Sequence, residues 1–302
     1  LEFRRVLFRS LESDRMLELA FSEQSLEVQR GVVMEEFKQR CLNQPYGDVG
    51  HLFRPLAFRV HPYRWPTIGK ELSHIEQATL DEVKNFFYRF YAPNNAVLAV
   101  TGNISWDETV RLTEKWFAPI PRRDVPARQL PQEPEQTRER RLTVERNVPL
   151  DALFMGYHMC SRESADYYAF DILSDILSNG RSSRLNRRLV QEQNLFSGID
   201  AYISGTRDAG LLQISGKPAA GVSLEQAEAA VRKELEELRQ SPAGEQELEK
   251  VKNKFESTQI FGNINYLNVA TNLAWFELTG KAEDIDLEVE RSEERRVGKE
   301  CR

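Results

Sequence analysis

A cluster of prolines near the middle of the chain divides it into two regions. Sixteen residues of mostly polar sequence contain Pro119, Pro121, Pro126, Pro131 and Pro134. Proline fixes φ and removes a backbone donor, so neither a helix nor an inner strand continues through such a segment. We therefore predict a Pro-rich interdomain linker over residues 121–140, with one domain before it and one after it.

The region before the linker is predicted to consist mainly of helices. Apolar residues recur at helical spacing over residues 11–23, 25–41, 49–59 and 106–117. Thr79 and Glu82 have the form of a capping box, which predicts that another helix begins there. The short run over residues 96–101 is rich in β-branched apolar residues, and we predict a buried strand.

The region after the linker mixes strands with helices. Strands are predicted over residues 141–147, 152–158, 197–204 and 210–216, and helices over residues 165–177, 183–192, 224–240, 244–256 and 264–278. Most of the strands are adjacent in sequence, without the regular alternation of a βαβ protein. This order predicts an α+β fold of mixed α/β layers.

The two ends of the chain are related to each other through the genetic code. Residues 7–10, Leu-Phe-Arg-Ser, can be written CTC TTC CGA TCT, and the reverse complement encodes Arg-Ser-Glu-Glu, the sequence of residues 291–294. Both ends resemble the adapters of short-read libraries. We therefore predict that residues 1–10 and 291–302 are adapter-derived and not native, and we exclude them from fold reasoning.

Charge and composition of residues 11–290 argue against a nucleic-acid partner and against a membrane-spanning helix. The chain has 41 Lys and Arg against 47 Asp and Glu, and the two ends carry eight of the former and four of the latter, which leaves a net charge of about −10. An acidic chain without a basic face argues against a nucleic-acid partner. No run of apolar residues approaches the roughly 18 that a membrane-spanning helix needs.

The two cysteines outside the excluded ends do not indicate a disulfide framework or a metal site. Cys41 and Cys160 have neither disulfide nor metal-knuckle spacing, and we expect both to be core or near-core thiols. The cellular compartment stays undecided.

Four segments resemble the insulinase/pitrilysin-type zinc metallopeptidases. They are Val32-Val-Met-Glu-Glu36, His61-Pro-Tyr-Arg-Trp-Pro-Thr-Ile-Gly69, Tyr91-Ala-Pro-Asn-Asn-Ala-Val-Leu-Ala-Val-Thr-Gly102 and Ser178-Asn-Gly-Arg-Ser-Ser-Arg-Leu185. Each is weak alone, but their order and separation are jointly specific. The resemblance implies two related domains of the processing-peptidase-like metallohydrolase fold, which face each other across a peptide-binding chamber. It makes residues 11–120 the C-terminal part of the zinc-bearing domain and residues 141–290 the second domain, or part of it.

The resemblance also implies a metal ligand. Glu36 matches the carboxylate that completes a Zn²⁺ site with the two histidines of an H-x-x-E-H motif, a ligand set that leaves a position open for water. Glu35 points about 100° away around the helix, so the two residues cannot share one role. Without the family, a Glu-Glu pair on a helix is typical of a solvated face.

This sequence departs from the family pattern at the metal site. It contains no H-x-x-E-H motif, so the general base that the resemblance implies is absent and we assign no catalytic residue. Gln29 stands where many members carry a Glu that supports the metal ligand, and an amide supplies no negative charge. His61 beside Glu36 could in principle bind a metal, but packing among Pro62, Tyr63 and Trp65 is the favoured interpretation.

A second departure concerns substrate anchoring. Family members that hold the substrate backbone with an Arg and a Tyr carry them at the places that Val190 and Ser197 occupy here. Because the two-chain branch of the family can divide these elements between subunits, the resemblance implies a heterodimer whose second insulinase-family subunit supplies the anchor.

Two functions therefore stay open. The first is a zinc metalloendopeptidase subunit that hydrolyses peptides or unfolded polypeptide in a closed chamber, in which case this chain alone is inactive. The second is a non-catalytic scaffold subunit of such a heterodimer. The substitutions Gln29, Val190 and Ser197 favour the scaffold slightly, and Glu36 favours the enzyme. An unrelated α+β protein would require four ordered motif matches by accident.

Overall fold

A computed structural model describes residues 11–285, and the chain forms two compact units. The first, unit 1, ends at Arg146 and the second, unit 2, begins at Asn147. The ends predicted to be adapter-derived lie outside the described residues. Their origin, and the assignment of residue ranges to family domains, stay predictions.

Unit 1 is built from helices. After a helical segment over residues 11–17, they are α1 (Glu23–Phe37, which continues as a π-helical turn, Lys38–Leu42), α2 (Val49–Ala57), α3 (Leu72–Glu76), α4 (Leu80–Phe90) and α5 (Trp106–Phe117). Short 3₁₀ turns lie at Pro62–Arg64 and Pro93–Asn95. No described helix is long and apolar enough to cross a membrane.

Capping side chains decide where two of these helices begin. The Thr79 Oγ1 accepts from the Glu82 backbone N–H, and the Glu82 carboxylate accepts from the Thr79 N–H at 2.8 Å, which confirms the predicted capping box. Ser22 and Ser25 form the same arrangement before α1. The helix predicted over residues 11–23 ends instead at residue 17, because Ser22 is in an extended conformation as the cap of the next helix.

Two predicted strands are wrong for the part of the chain that the structure describes. Residues 96–101 and 141–147 belong to no ladder, and unit 1 contains no strand between residues 11 and 146. Val97 and Leu98 are exposed, so the first run is not buried either. β-branched composition favours a pleated, half-buried surface, but a strand forms only where a neighbouring backbone accepts and donates its hydrogen bonds.

The segment predicted as a linker, residues 121–140, lies along unit 1 and contacts it through polar groups; we call it the strap. One carboxylate, that of Glu133, accepts three consecutive backbone N–H groups, from Arg59 at 2.6 Å, Val60 at 2.9 Å and His61 at 3.0 Å. These contacts satisfy donors just beyond the end of α2 that have no helical partner.

Two arginines near the ends of the strap make further contacts with unit 1. The Arg140 guanidinium donates to the backbone carbonyls of Leu56 at 2.6 Å and Ala57 at 3.2 Å, which occupies the C-terminal end of α2. The Arg123 guanidinium donates to the Phe87 carbonyl at 3.1 Å and lies 5.0 Å from the centre of the Phe87 ring. The strap is therefore packed against unit 1 over much of its length.

The described part of unit 2 contains one antiparallel sheet, five longer helical segments and a short 3₁₀ turn at Ala282–Ile285. The strands are β1 (Leu153–His158), β2 (Phe196–Ile203) and β3 (Leu211–Pro218), in the order β1-β3-β2. The helices are α6 (Tyr167–Ser178), a π-helical segment (Asn186–Glu192), α7 (Leu224–Gln240), α8 (Glu245–Gly262) and α9 (Tyr266–Thr279). This arrangement confirms the predicted α+β class, and three of the four strands predicted for this region are present.

The core of unit 2 lies between one face of the sheet and its helices. Residues at period two in β2 and at helical spacing in α6 and α7 are almost completely buried there: Ile172, Ile176, Phe196, Ile199, Ala201, Ile214, Ala227 and Val231. The Ser178 hydroxyl at the end of α6 donates to the Ala201 carbonyl in β2 at 2.7 Å. Apolar burial on this scale is the main stabilising term of a domain.

Gly216 occupies a position in β3 where a side chain does not fit. A Cβ atom there would lie 2.7 Å from a ring carbon of Phe196 and 3.1 Å from a side-chain carbon of Ile199. Both neighbours are buried, so neither moves without disturbing the core.

We expect Gly216→Ala to lower the free energy of unfolding of unit 2 by about 1–3 kcal/mol, through overpacking against Phe196. Gly198→Ala is the matched control, because a Cβ in that strand meets no atom within 4 Å; its change is expected to stay within about 0.5 kcal/mol. Urea unfolding followed by circular dichroism measures both. Equal effects of the two substitutions would contradict this packing argument.

A partly buried ion pair joins the residues just before the π-helical segment to α8. The Arg184 Nε lies 3.0 Å from the Glu247 Oε1, and the Arg184 Nη2 lies 2.7 Å from the Oε2, a two-bond arrangement with the Arg184 side chain only 10% exposed. These hydrogen bonds hold the pKa of Glu247 below its ordinary value, against the opposing effect of burial.

Glu247→Gln is expected to lower the stability of unit 2 at pH 7 by about 1.5–3 kcal/mol, because Arg184 loses its charged partner. The pKa of Glu247 is depressed in the folded state, so its contribution is complete above the unfolded pKa of about 4.3 and is lost as the pH falls through the lower folded value. The variant should therefore lose less stability than the parent between about pH 5 and pH 3.

Glu236→Gln serves as the control, since Glu236 pairs with Arg239 on the exposed face of α7; this substitution should change stability at pH 7 much less than Glu247→Gln does. Chemical unfolding across this pH range tests the expectation, and parallel curves for Glu247→Gln and the parent would refute it.

Candidate metal-ligand site

Glu36 lies in the last turn of α1, where its carboxylate is partly exposed. The Oε1 atom accepts from the Arg40 Nη2 at 2.9 Å, and the side chains of Glu36 and Arg40 are 43% and 70% exposed. An exposed i, i+4 pair of this kind contributes only a few tenths of a kcal/mol. Arg40 therefore holds the Glu36 carboxylate only weakly.

The backbone immediately after Glu36 is tightly folded. α1 continues as the π-helical turn Lys38–Leu42, a geometry that is frequent at functional sites. Gly47 returns so close to this turn that a Cβ there would lie 2.6 Å from the Arg40 carbonyl oxygen. Phe37 and Cys41 are buried, whereas Glu35 is exposed. The end of α1 is thus packed into unit 1 through Phe37, and the carboxylates of Glu35 and Glu36 lie nearer to solvent.

Gln29, which is predicted to support the metal ligand, lies on an exposed face of α1. Gln29 precedes Glu36 by seven residues, which is two turns along the same side of α1, and it is exposed. Val28 and Val32, its neighbours on this side, are 64% and 54% exposed. Apolar side chains at this exposure on successive turns are typical of a face that another segment covers.

Residues 11–285 do not hold a metal site by themselves. They contain no group of three His, Cys, Asp or Glu side chains placed to hold an ion. Glu36 has a basic neighbour, Arg40, rather than a second ligand. The carboxylate chemistry is right for Zn²⁺, but a catalytic zinc takes three protein ligands, so these residues fit at most one third of such a site.

His61 is packed and is not grouped with Glu36. It is 5% exposed, and its ring lies 4.2 Å from that of Tyr63 and 6.1 Å from that of Phe58. The Nδ1 atom accepts from the Tyr63 backbone N–H at 3.2 Å. These contacts agree with the interpretation of His61 as a packed loop residue.

The two places of the missing anchor pair differ in their surroundings. Val190, in the π-helical segment, packs against the core of unit 2. Ser197 is exposed at an irregularity of β2, and its hydroxyl donates to the Lys217 carbonyl at 3.1 Å. Neither side chain carries a charge or a ring that would grip a peptide backbone.

The segment from Ser178 to Leu185 is structural in its contacts. Gly180 has φ of +99°, the left-handed conformation that ends α6. The Ser183 hydroxyl is buried and donates to the Gly180 carbonyl at 2.7 Å, so it caps this turn and does not act as a nucleophile. Arg184 makes the ion pair with Glu247 described above.

Two features of the helices of unit 2 depart from their sequence patterns. Phe261, Ile264 and Tyr266, at the junction of α8 and α9, are 66–73% exposed, although apolar side chains of this size usually pack in a core. The many charged side chains of α7 are typical of a solvated face, yet Glu234 is buried and pairs with Arg188 at 2.7 Å.

The two cysteines within residues 11–285, Cys41 and Cys160, are free thiols, as expected. Cys41 is buried, and burial raises the pKa of its thiol, whereas Cys160 is partly exposed.

The sequence and the fold of this chain were compared with those of known proteins. Residues 77–255 match the sequence profile of the peptidase M16 inactive domain. The chain is 30% identical over 251 residues to the zinc protease PqqE of Helicobacter pylori, covering 82% of this chain and 56% of that protein. It is 24% identical over 246 residues to the uncharacterized zinc protease YmxG of Bacillus subtilis, covering 82% and 58%.

Solved structures agree with these sequence relatives. The crystal structure of a protease from Helicobacter pylori superposes with a TM-score of 0.89 at 25% identity, over 98% of this chain and 72% of that one. A peptidase M16 inactive domain from Pseudomonas fluorescens superposes with a TM-score of 0.81 at 19% identity, over 93% and 66%.

The chain thus spans somewhat more than half the length of the curated relatives named above. The profile match extends over more than half of the 302 residues, and the fold is that of the superposed peptidases. The predicted resemblance to insulinase-type metallopeptidases is confirmed: this chain belongs to the peptidase M16 family.

Proposed function

We propose that this chain is part of a zinc metalloendopeptidase subunit and that Glu36 is its contribution to the metal site. The observation that carries the proposal is the Glu36 carboxylate itself, at the family's V-V-x-E-E position, partly exposed and held only by Arg40. The names of the relatives support zinc protease chemistry. The bound zinc would supply Lewis-acid chemistry, and the role of Glu36 is to bind and orient that ion.

The open face of α1 supports an assembly larger than the described residues. Val28, Gln29 and Val32 are exposed beside Glu36, and Val97 and Leu98 are exposed in a run of strand-forming composition. The relatives are longer than this chain. In our proposal, further sequence of the longer protein pairs with residues 96–101, covers α1 and brings two histidines and a general base to Glu36.

The proposed substrates are peptides or unfolded polypeptide that enter a closed chamber. Gln29 would leave the surroundings of the metal less negative than a Glu would, while still offering hydrogen bonds to a ligand or water.

Glu36→Gln, made in a protein extended to the length of the curated relatives, is expected to abolish stoichiometric zinc and to lower peptide hydrolysis by at least about 100-fold, because a neutral amide replaces a ligand. Glu35→Gln is the matched control on the adjacent, exposed position and should leave both unchanged. Zinc is measured by mass spectrometry and hydrolysis with a fluorogenic peptide.

The 302-residue chain itself provides a second control, since we expect it neither to retain zinc tightly nor to cleave peptides. Tight, stoichiometric zinc in this chain would refute the assignment of Glu36 as one ligand of three. An intact zinc content in the extended Glu36→Gln variant would do the same.

We further propose that the active form is a heterodimer in which a second insulinase-family subunit supplies the Arg/Tyr anchor. Val190 and Ser197 support this, because neither side chain provides that grip. Hydrolysis by the extended protein should then rise at least about tenfold when the partner is added. A rate for the extended protein alone that no partner changes would exclude the heterodimer.

In the scaffold alternative, the chain pairs with the same second insulinase-family subunit but carries out no catalysis. Gln29, Val190 and Ser197 favour it, since three positions linked to function in the family carry other residues. The coding sequence upstream distinguishes the two functions. An H-x-x-E-H motif some seventy to eighty residues before Glu36 supports the peptidase, and a full-length sequence without one supports the scaffold.

A further inference from the structure

The junction of α8 and α9 exposes a group of large apolar side chains within eight residues of chain. They are 57–73% exposed, and we call them the junction patch: Ile260, Phe261, Ile264, Tyr266 and Leu267. Single exposed apolar residues are common on soluble proteins, but a group of this size usually marks a surface that another molecule covers. The junction patch is therefore a candidate interface.

The sequence around the junction patch is uncharged. Asp, Glu, Lys and Arg make up 29% of the whole chain, so a stretch as long as residues 257–276 would ordinarily hold about six of them, and it holds none. Charged residues are depleted, and aromatic residues enriched, at the centre of protein–protein interfaces. The composition of this stretch is thus that of an interface centre and not that of an ordinary hydrated surface.

The helix that follows the junction is apolar on more than one side. Of the residues that the structure describes in α9, only Phe276 is buried, although Leu267, Val269 and Leu273 also lie in this helix. A helix that is apolar around most of its circumference is normally covered on most of its faces. Leu267, at 71% exposed, therefore favours contact with another molecule.

Polar groups of the junction itself hold the patch in a fixed shape. The Asn265 Oδ1 accepts from the Leu267 backbone N–H at 2.9 Å and caps α9, and the Asn268 Nδ2 donates to the Gly262 carbonyl at 3.2 Å. The Asn265 backbone N–H donates to the same carbonyl, also at 3.2 Å. Because these contacts already order the reversal between the two helices, little conformational entropy is left to lose when a partner binds.

Charge and area favour a second copy of this chain as the partner. The chain has a net charge of −6, so the like charge of two copies opposes their approach, and a neutral surface minimises that repulsion. The five side chains present on the order of 700 Å² on each copy, close to the roughly 800 Å² per partner of a standard interface. An apolar, uncharged patch is complementary to itself, which is what a two-fold contact between identical surfaces requires.

Other classes of partner fit this composition less well. A nucleic acid or an anionic membrane surface is bound through Lys and Arg, and residues 257–276 contain neither. A protein partner that recognises charge, whether acidic or basic, would find no complementary group in this stretch.

We propose that two copies of this chain associate through their junction patches, around a two-fold axis that brings the two α8–α9 junctions together. The inference does not rest on Glu36, on zinc or on the proposed heterodimer. Its failure would leave the proposed function as it stands.

Sedimentation velocity of the 302-residue chain over a range of about 1 to 200 µM should show a monomer that converts to a discrete dimer, with Kd below about 100 µM. A two-fold contact closes on itself, so larger species should not accumulate. Because residues 257–276 carry no charge, the Kd should change less than about threefold between low and high NaCl, whereas an ionic interface would weaken with salt.

Variants locate the interface. Phe261→Glu and Ile264→Glu should each weaken the dimer at least about tenfold, because each places two like charges in an apolar contact. Both positions are exposed in the monomer, so the fold should tolerate the change, and thermal unfolding establishes this for each variant. Trp106→Glu is the matched control: Trp106 is 79% exposed at the start of α5, outside the junction patch, and its replacement should leave the dimer unchanged.

Three results with this chain would overturn the proposal: a monomer at every concentration, a series of ever larger species, or a dimer that the folded Phe261→Glu and Ile264→Glu variants retain. A protein extended to the length of the curated relatives should form the same dimer. If it stays monomeric and Phe261→Glu lowers its melting temperature, its own further sequence covers the junction patch, and a second copy is excluded.

Discussion

Burial of one face of the three-stranded sheet is the constraint on which unit 2 depends. β2 alternates buried and exposed residues, so its apolar side must be covered, and α6 supplies Ile172 and Ile176 for this purpose. Gly216 permits the close approach of Phe196 to β3. The Arg184–Glu247 pair then joins the residues just before the π-helical segment to α8.

Unit 1 is organised differently. It contains no strand between residues 11 and 146, and polar side chains of the strap satisfy backbone groups at the end of α2. Glu133 satisfies three backbone donors, and Arg140 satisfies two carbonyls at the end of α2. Meanwhile α1 keeps an exposed apolar face around Val28 and Val32. A helix face of this kind next to a lone ligand-type carboxylate fits our proposal that the metal site is shared with sequence outside the described residues. Among the described residues, the partner of Glu36 is Arg40.

The features that could be predicted from the sequence are local in origin. The Thr79–Glu82 capping box spans four residues, and the period of α7 is set within one helix, so both follow from neighbouring side chains. The strand at residues 96–101 was predicted from composition alone, and it failed because a ladder needs a second backbone. The burial of Glu234 was missed for the same reason, since its partner Arg188 lies on another element.

The candidate sites also combine features that follow from local sequence with features that depend on contacts between distant segments. The sequence by itself determined the family and the α+β class, because these rest on short motifs and on the period and order of local elements, and it predicts Glu36 as a metal ligand. Only the tertiary structure decided that the strap packs on unit 1, that Arg184 meets Glu247 across 63 residues, and that the apolar residues around Phe261 stay exposed at the junction of α8 and α9. Contacts between distant segments depend on how packed elements exclude water and satisfy buried polar groups, and neither condition can be evaluated before the chain has folded.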